Sequence, residues 1–168
     1  NVEIVLATDN DTLKSIAETK NPILTDVNTI KEVQTPSGSA IFKSRFIKTR
    51  LGLEIEGPFI FVDSDTVIRK EITFDLESNN DIGLVRNHSR YILSEQLWIG
   101  DLNVIQMMGW NEPKNIYFNS GVIFYQGNSK SKKFAEKWHE TWKEGYKRTG
   151  FHVDQPSLSH IISLEEFN

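Results

Sequence analysis

Asp63 and Asp65 are separated by a single serine and follow four large apolar residues, Phe59-Ile60-Phe61-Val62. Two carboxylates this close along the chain repel each other unless a cation neutralises them. Oxygen donors suit a hard divalent ion such as Mn²⁺ or Mg²⁺, and such an ion also grips phosphate oxygens. As a Lewis acid it would stabilise negative charge on a departing diphosphate. The same triplet also fits a strand-end turn whose aspartates accept from local backbone amides. The apolar run favours the metal, because it would fix both carboxylates at the rim of a sheet.

Other polar groups could join this pair. Arg45 and Lys48 lie three apart on an expected helix, so they project from one side. They could pair with phosphate, or with Asp63 and Asp65, or form a solvated basic face. Asn119-Ser120-Gly121 interrupts an apolar stretch where packing should prefer Val or Ile. Gly121 there marks either a bulge or a close backbone approach to a ligand. Asp154 either caps a last helix or faces a ligand, whereas Gln155 has no need to be polar for capping. Of the histidines, His139 reads as packing or surface, while His88 and His152 lie in polar stretches near the candidate groups.

The elements that must position these residues alternate between strand and helix. Val2–Ala7 is a short apolar strand, and Asp9-Asn10-Asp11 supplies a turn and a cap for a helix over Thr12–Glu18. Asn21-Pro22 breaks that helix, and Ile30–Val33 is a second strand. Ser37 and Ser39 are placed to cap a helix over Ala40–Leu53, with Phe42, Phe46 and Leu53 on one face. Phe59–Val62 is continuously apolar, as expected of a central strand covered on both faces. Ile82–Val85 and Tyr117–Tyr125 are further strands, and Asn111–Asn115 is a loop. Ser129–Tyr146 is an amphipathic helix whose Phe134, Trp138, Trp142 and Tyr146 form one core stripe. Asp154-Gln155-Pro156 opens a short helix through Ile162. The alternation predicts an α/β layer fold with a mainly parallel sheet, in which ligands gather beyond the carboxyl ends of the strands.

The chain has 168 residues and a formal net charge of -4, which suits one domain and argues against a nucleic-acid groove or a polybasic membrane patch. It has no cysteine, so disulfides, thiolate metal sites and a cysteine nucleophile are excluded. That absence, with no visible signal peptide, leans towards a cytoplasmic setting. No apolar run is long enough to span a bilayer. Asn10-Asp11-Thr12 and Asn87-His88-Ser89 match the glycosylation triplet, a pattern that arises often by chance.

The segment Phe59-Ile60-Phe61-Val62-Asp63-Ser64-Asp65-Thr66-Val67 resembles the DxD segment of GT-A fold glycosyltransferases, especially the family-eight type. Ser44-Arg45-Phe46-Ile47-Lys48 resembles the preceding helix, Tyr117-Phe118-Asn119-Ser120-Gly121-Val122 the F-N-[SA]-G strand, and Asp154-Gln155 the D-Q pair. The pieces fall in the family's order from about Arg45 to the C-terminus. The resemblance implies a GT-A (Rossmann-like) α/β fold, with a mixed, mainly parallel sheet flanked by helices. It implies that Asp63 and Asp65 bind Mn²⁺ (or Mg²⁺), and that Arg45, Lys48, Ser64 and Gly121 join them around the donor. Asn119, Asp154 and Gln155 would surround the transferred sugar.

Two parts of the pattern are incomplete. The family's third metal ligand, a histidine in an H-x-x-G-x-x-K-P-W type segment, has no counterpart here. The turn Thr8-Asp9-Asn10-Asp11 resembles the nucleotide-contacting turn after the family's first strand, but it lies close to Asp63 in sequence. Val2–Ala7 is therefore read as the second strand, with Asp9 as a helix cap. On this reading residues 1–168 are a single catalytic domain, a fragment without the first strand and the C-terminal metal-ligand segment. The implied activity is metal-dependent hexosyl transfer from a nucleotide-diphosphate sugar, UDP-linked, to a carbohydrate, lipid or protein hydroxyl, with retention of configuration. The rivals are a catalytically silent binding domain and a sugar nucleotidyltransferase. The latter would want a Gly-rich loop after the first strand, and none is visible.

Overall fold

The computed structural model describes residues 3–70, 80–87, 99–113 and 116–164. His88 lies outside them, as do two residues of the loop expected at 111–115.

The chain opens with β1 (Val5–Thr8), α1 (Asn10–Glu18), the short α2 (Ile23–Asp26) and β2 (Thr29–Glu32). β1 and β2 pair in parallel, Val5 opposite Thr29 and Thr8 opposite Glu32. Asp9 caps α1, as its place in the sequence suggests: its carboxylate accepts from the Thr12 amide at 3.0 Å. The loop after β2 leads into α3 (Ala40–Glu54), capped by Ser39, whose hydroxyl accepts from the Phe42 amide at 3.2 Å.

β3 (Phe59–Val62), β4 (Ile82–Arg86) and β5 (Phe118–Tyr125) form a second sheet in the order β3-β5-β4, both pairings antiparallel. The fold is thus mixed α/β, with a parallel strand pair and flanking helices. The expectation that Phe59–Val62 is a central strand needs correcting: β5 occupies the centre, and β3 is an edge of its sheet among the described strands. The apolar run has another cause. Phe59 and Phe61 both touch two core clusters, one around Ile123, Tyr125, Phe134 and Trp138, the other around Val33, Ile47 and Leu51.

α4 (Ile99–Met108), α5 (Ser129–Thr149) and α6 (Gln155–Ser163) complete the described elements. Asn128 caps α5, and Gly150 ends it in a left-handed conformation, φ 72°. The stripe on α5 is core, as its spacing predicts: Phe134, Trp138 and Trp142 are fully buried. Phe42 of α3 packs on Trp142 and Tyr146, with ring centroids 5.5 and 4.8 Å away. Leu53, expected on the same face, packs on the cluster of Ile123, Phe134 and Trp138, nearer the start of α5.

Candidate active site

The Asp63-Ser64-Asp65 turn begins where β3 runs out. The Asp63 amide still donates to Gly121 O at 2.8 Å, extending the β3–β5 ladder by one rung. The Thr66 amide donates back to Asp63 O at 2.9 Å and closes the turn. On the other side of β5 the register breaks. Leu84 pairs with Ile123, but the next residue, Val85, pairs with Asn119. Ser120, Gly121 and Val122 are therefore extra residues relative to β4, and the interruption seen in the sequence is a bulge. Asn119 Oδ1 accepts from the Gly121 amide at 2.6 Å, which secures the bulge.

The bulge presents Ser120 to Lys48, and this lysine is the hub of the site. Lys48 comes from the middle of α3 and is 4% exposed. Its ammonium donates to Asp63 Oδ2 at 2.9 Å and to Ser120 Oγ at 3.1 Å. It also lies 3.2 Å from Asp154 Oδ2 and 5.4 Å from the centre of the Phe61 ring. The Asp154 contact is an ion pair without good hydrogen-bond alignment. Arg45, one turn earlier on α3, places its Nε 3.3 Å from Asp154 Oδ1. The solvated basic face considered for these two residues is thereby ruled out for Lys48.

Asp154 precedes α6 as a capping residue should, but its side chain makes no capping bond. Its backbone carbonyl is held instead by Trp138 Nε1 at 3.2 Å and Ser157 Oγ at 2.7 Å. Those bonds aim the carboxylate, 5% exposed, at Arg45 and Lys48. Gln155 donates from Nε2 to Phe118 O at 3.2 Å, tying the start of α6 to the start of β5.

Asp63, 29% exposed, faces both this buried network and an open cleft of about 420 Å³. Arg45, Ser44, Ser64 and Asp65 line the same cleft, with Ala40 and Ile41 as its apolar wall. The structure thus brings Arg45, Lys48, Asp63 and Asp154 into one chain of ion pairs, with Asn119 and Gly121 beside it. Asp65 stands apart: among the described residues no ion pair joins it to Arg45 or Lys48. Nor do the described residues contain a group of three acids or histidines that could hold a metal by themselves. A smaller cleft of about 200 Å³ lies at the ends of β1 and β2, lined by Asp9, Asp11, Glu32 and Lys43 among others.

The histidines lie elsewhere. His139 is buried on α5, where its Nδ1 meets Thr49 Oγ1 at 2.8 Å, and burial pushes its pKa down to about 4. His152 packs on Tyr146, ring centroids 4.8 Å apart, and its Nε2 is 3.3 Å from Ser39 Oγ. His160 stacks on Trp110 at 4.6 Å, and burial lowers its pKa.

Two polar groups of this region escaped the sequence reading. Ser120 was seen only as part of the interruption in β5. Asp101 was not seen at all, although an acid in the apolar helix Ile99–Met108 is itself a signal. Its carboxylate accepts from Tyr117 Oη at 2.9 Å. Burial raises its pKa to about 6, the Tyr117 bond opposing the rise and the nearby charge of Asp154 adding to it. Burial and the same two acids push the Tyr117 hydroxyl far up, so it stays protonated.

A family model for nucleotide-diphospho-sugar transferases matches residues 3–165. No curated protein and no solved structure matches the chain.

Proposed function

The chain belongs to the nucleotide-diphospho-sugar transferase family, and from that premise we propose a metal-dependent glycosyltransferase that moves a hexosyl group from a UDP-sugar to a hydroxyl acceptor. One observation carries the proposal: the end of β3, the β5 bulge and the start of α6 meet around Lys48, beside a cleft lined by Asp63, Asp65 and Arg45. Asp63 and Asp65 offer hard oxygens on one wall of that cleft, a donor set that suits Mn²⁺ or Mg²⁺ when phosphate oxygens and water complete the shell. When bound, the metal would act as a Lewis acid on the leaving diphosphate. Arg45 reaches the same cleft and would pair with the diphosphate. Asn119 and Gln155, from the start of β5 and the start of α6, would border the transferred sugar.

Among the described residues at the cleft, no side chain stands out as a general base for the acceptor. That favours retention, in which the departing phosphate can take the acceptor's proton.

Thermal unfolding with a panel of nucleotide sugars, with and without Mn²⁺, tests the reading. A UDP-sugar with Mn²⁺ at a hundred times its Kd should raise Tm by about 5–10 °C. Asp65→Ala should abolish that shift and the Mn²⁺-dependent release of UDP. If both survive in Asp65→Ala, the donor site is elsewhere. A shift in the parent protein without UDP release would mark a binding domain.

A further inference from the structure

The basic residues of α3 divide their labour in a way that their spacing does not announce. Arg45 lines the cleft, its side chain 35% exposed. Lys48 does not line it; its ammonium is sealed among Asp63, Ser120, Asp154 and the Phe61 ring. Two of its three protons go to Asp63 and Ser120, and Asp154 Oδ2, 3.2 Å away, faces the ammonium as an ion pair. The buried ammonium is thus engaged by the protein's own oxygens and not presented to the cleft. Asp63 is correspondingly divided: Oδ2 faces Lys48, and Oδ1 has no hydrogen bond from the described residues.

We propose that Lys48 is a positioning residue, a fixed internal cation that withholds one oxygen of Asp63 and, together with Arg45, the Asp154 carboxylate from any divalent ion at the Asp63-Ser64-Asp65 turn. This rests on the reading of that turn as the metal and diphosphate site. The consequence is an order of binding. Without nucleotide, a metal meets, among the described residues, Asp65 and one oxygen of Asp63, with a positive charge behind them that repels it. The diphosphate supplies the missing oxygens and the missing negative charge. Metal and nucleoside diphosphate therefore bind together, and the bare ion binds poorly.

The same geometry excludes the alternative in which Lys48 itself meets the donor. Reaching the cleft would break the Lys48 bonds to Asp63 and Ser120 and leave the buried Asp154 carboxylate with Arg45 as its single cation, a cost that opposes the movement. The Ser120 hydroxyl is also held by this arrangement, so the β5 bulge and the metal turn are fixed by one atom.

The test is Mn²⁺ affinity read by electron paramagnetic resonance, on the whole chain, with Mn²⁺ alone and with Mn²⁺ plus UDP. The parent protein should bind Mn²⁺ more tightly with saturating UDP than without, by at least about tenfold. Lys48→Met should strengthen binding of Mn²⁺ alone by roughly tenfold, since it removes a cation beside the ligands and frees the second oxygen of Asp63. Lys48→Arg, which keeps the charge, should stay near the parent value. Should Lys48→Met fail to fold, Asp154→Asn is compared with the double variant Lys48→Met/Asp154→Asn. The double variant should bind Mn²⁺ alone more tightly by a similar factor. Unchanged or weaker Mn²⁺ binding on loss of the lysine, in folded protein, overturns the proposal. If no UDP-sugar binds any variant, the glycosyltransferase reading fails, yet the comparison with Mn²⁺ alone still decides the role of Lys48.

Discussion

Gly121 shows how little room the site has. A Cβ at this position would lie 2.7 Å from Asn119 Oδ1 and 3.1 Å from Asp63 Oδ2. The close approach is to the protein's own polar atoms, so the glycine is needed to seat Asp63 against Lys48. Gly121→Ala should displace the Asp63 carboxylate and break the short Asn119–Gly121 bond, lowering stability by about 1–3 kcal/mol. On the proposed reading its affinity for UDP with Mn²⁺ should fall by about tenfold or more, a loss of about 1.4 kcal/mol at the Asp63-Ser64-Asp65 turn. Denaturant titration and calorimetric UDP binding would read the two effects separately. A variant with reduced stability and intact Mn²⁺–UDP affinity would show that Asp63 tolerates the shift.

Among the elements, α3 is the one that joins core to site, and its packing explains why Lys48 can be buried. Gly52, one turn after Lys48, lets α3 press against α5 and β5. A Cβ there would lie 2.6 Å from the Ala135 Cβ and 2.7 Å from Tyr125 Cε1. Helix propensity alone would make Gly52→Ala stabilising by about 1 kcal/mol. Steric exclusion between a helix backbone and two fully buried neighbours should win, giving a net loss of about 1–3 kcal/mol. Gly145 on α5 is the control, because its nearest neighbour is Trp110 at 3.6 Å, an ordinary contact. Gly145→Ala should therefore be neutral or stabilising by up to about 1 kcal/mol. Urea unfolding of both variants decides between propensity and packing at each site.

At the scale of the whole molecule, two buried titrating groups oppose each other in acid. The pKa of His139 falls from 6.5 to about 4 on folding, so protonation favours the unfolded chain. The stability it contributes is present above pH 6.5 and is lost as pH falls towards 4. Asp101 rises from 3.8 to about 6, so its contribution is full below pH 3.8 and is lost as pH climbs towards 6. Between pH 4 and 6 the two slopes have opposite signs, each up to about 1.4 kcal/mol per pH unit. His160, also depressed by burial, adds to the sense of His139. Asp101→Asn should make stability rise more steeply with pH over that window, and His139→Gln should tilt it the other way. Unfolding free energies at pH 4, 5, 6 and 7 measure both. Identical profiles for the two variants would show that these groups do not titrate as their burial requires. Among the described residues no helix is long and apolar enough to cross a membrane.

Local rules were enough for much of this protein. The capping by Asp9 and Ser39, the aromatic stripe of α5 and the strand Phe59–Val62 are all settled by neighbours within a few residues, and these were legible. The candidate site was legible as a set of residues, because Asp63-Ser64-Asp65, Asn119-Ser120-Gly121 and Asp154-Gln155 each break a local pattern. What each side chain does was not. The central place of β5, the pairing of Lys48 with Asp63 and Asp154, and the use of Asp154 as a buried anion in place of a cap depend on contacts between segments far apart in the chain. Residues 48, 63, 120 and 154 acquire one another as neighbours only when α3, β3, β5 and α6 pack. Until then a lysine on a helix and an aspartate before a helix have several equally good local uses. Asp63-Ser64-Asp65 was visible from the sequence as a place for a cation. The tertiary structure decided that part of that charge already belongs to Lys48.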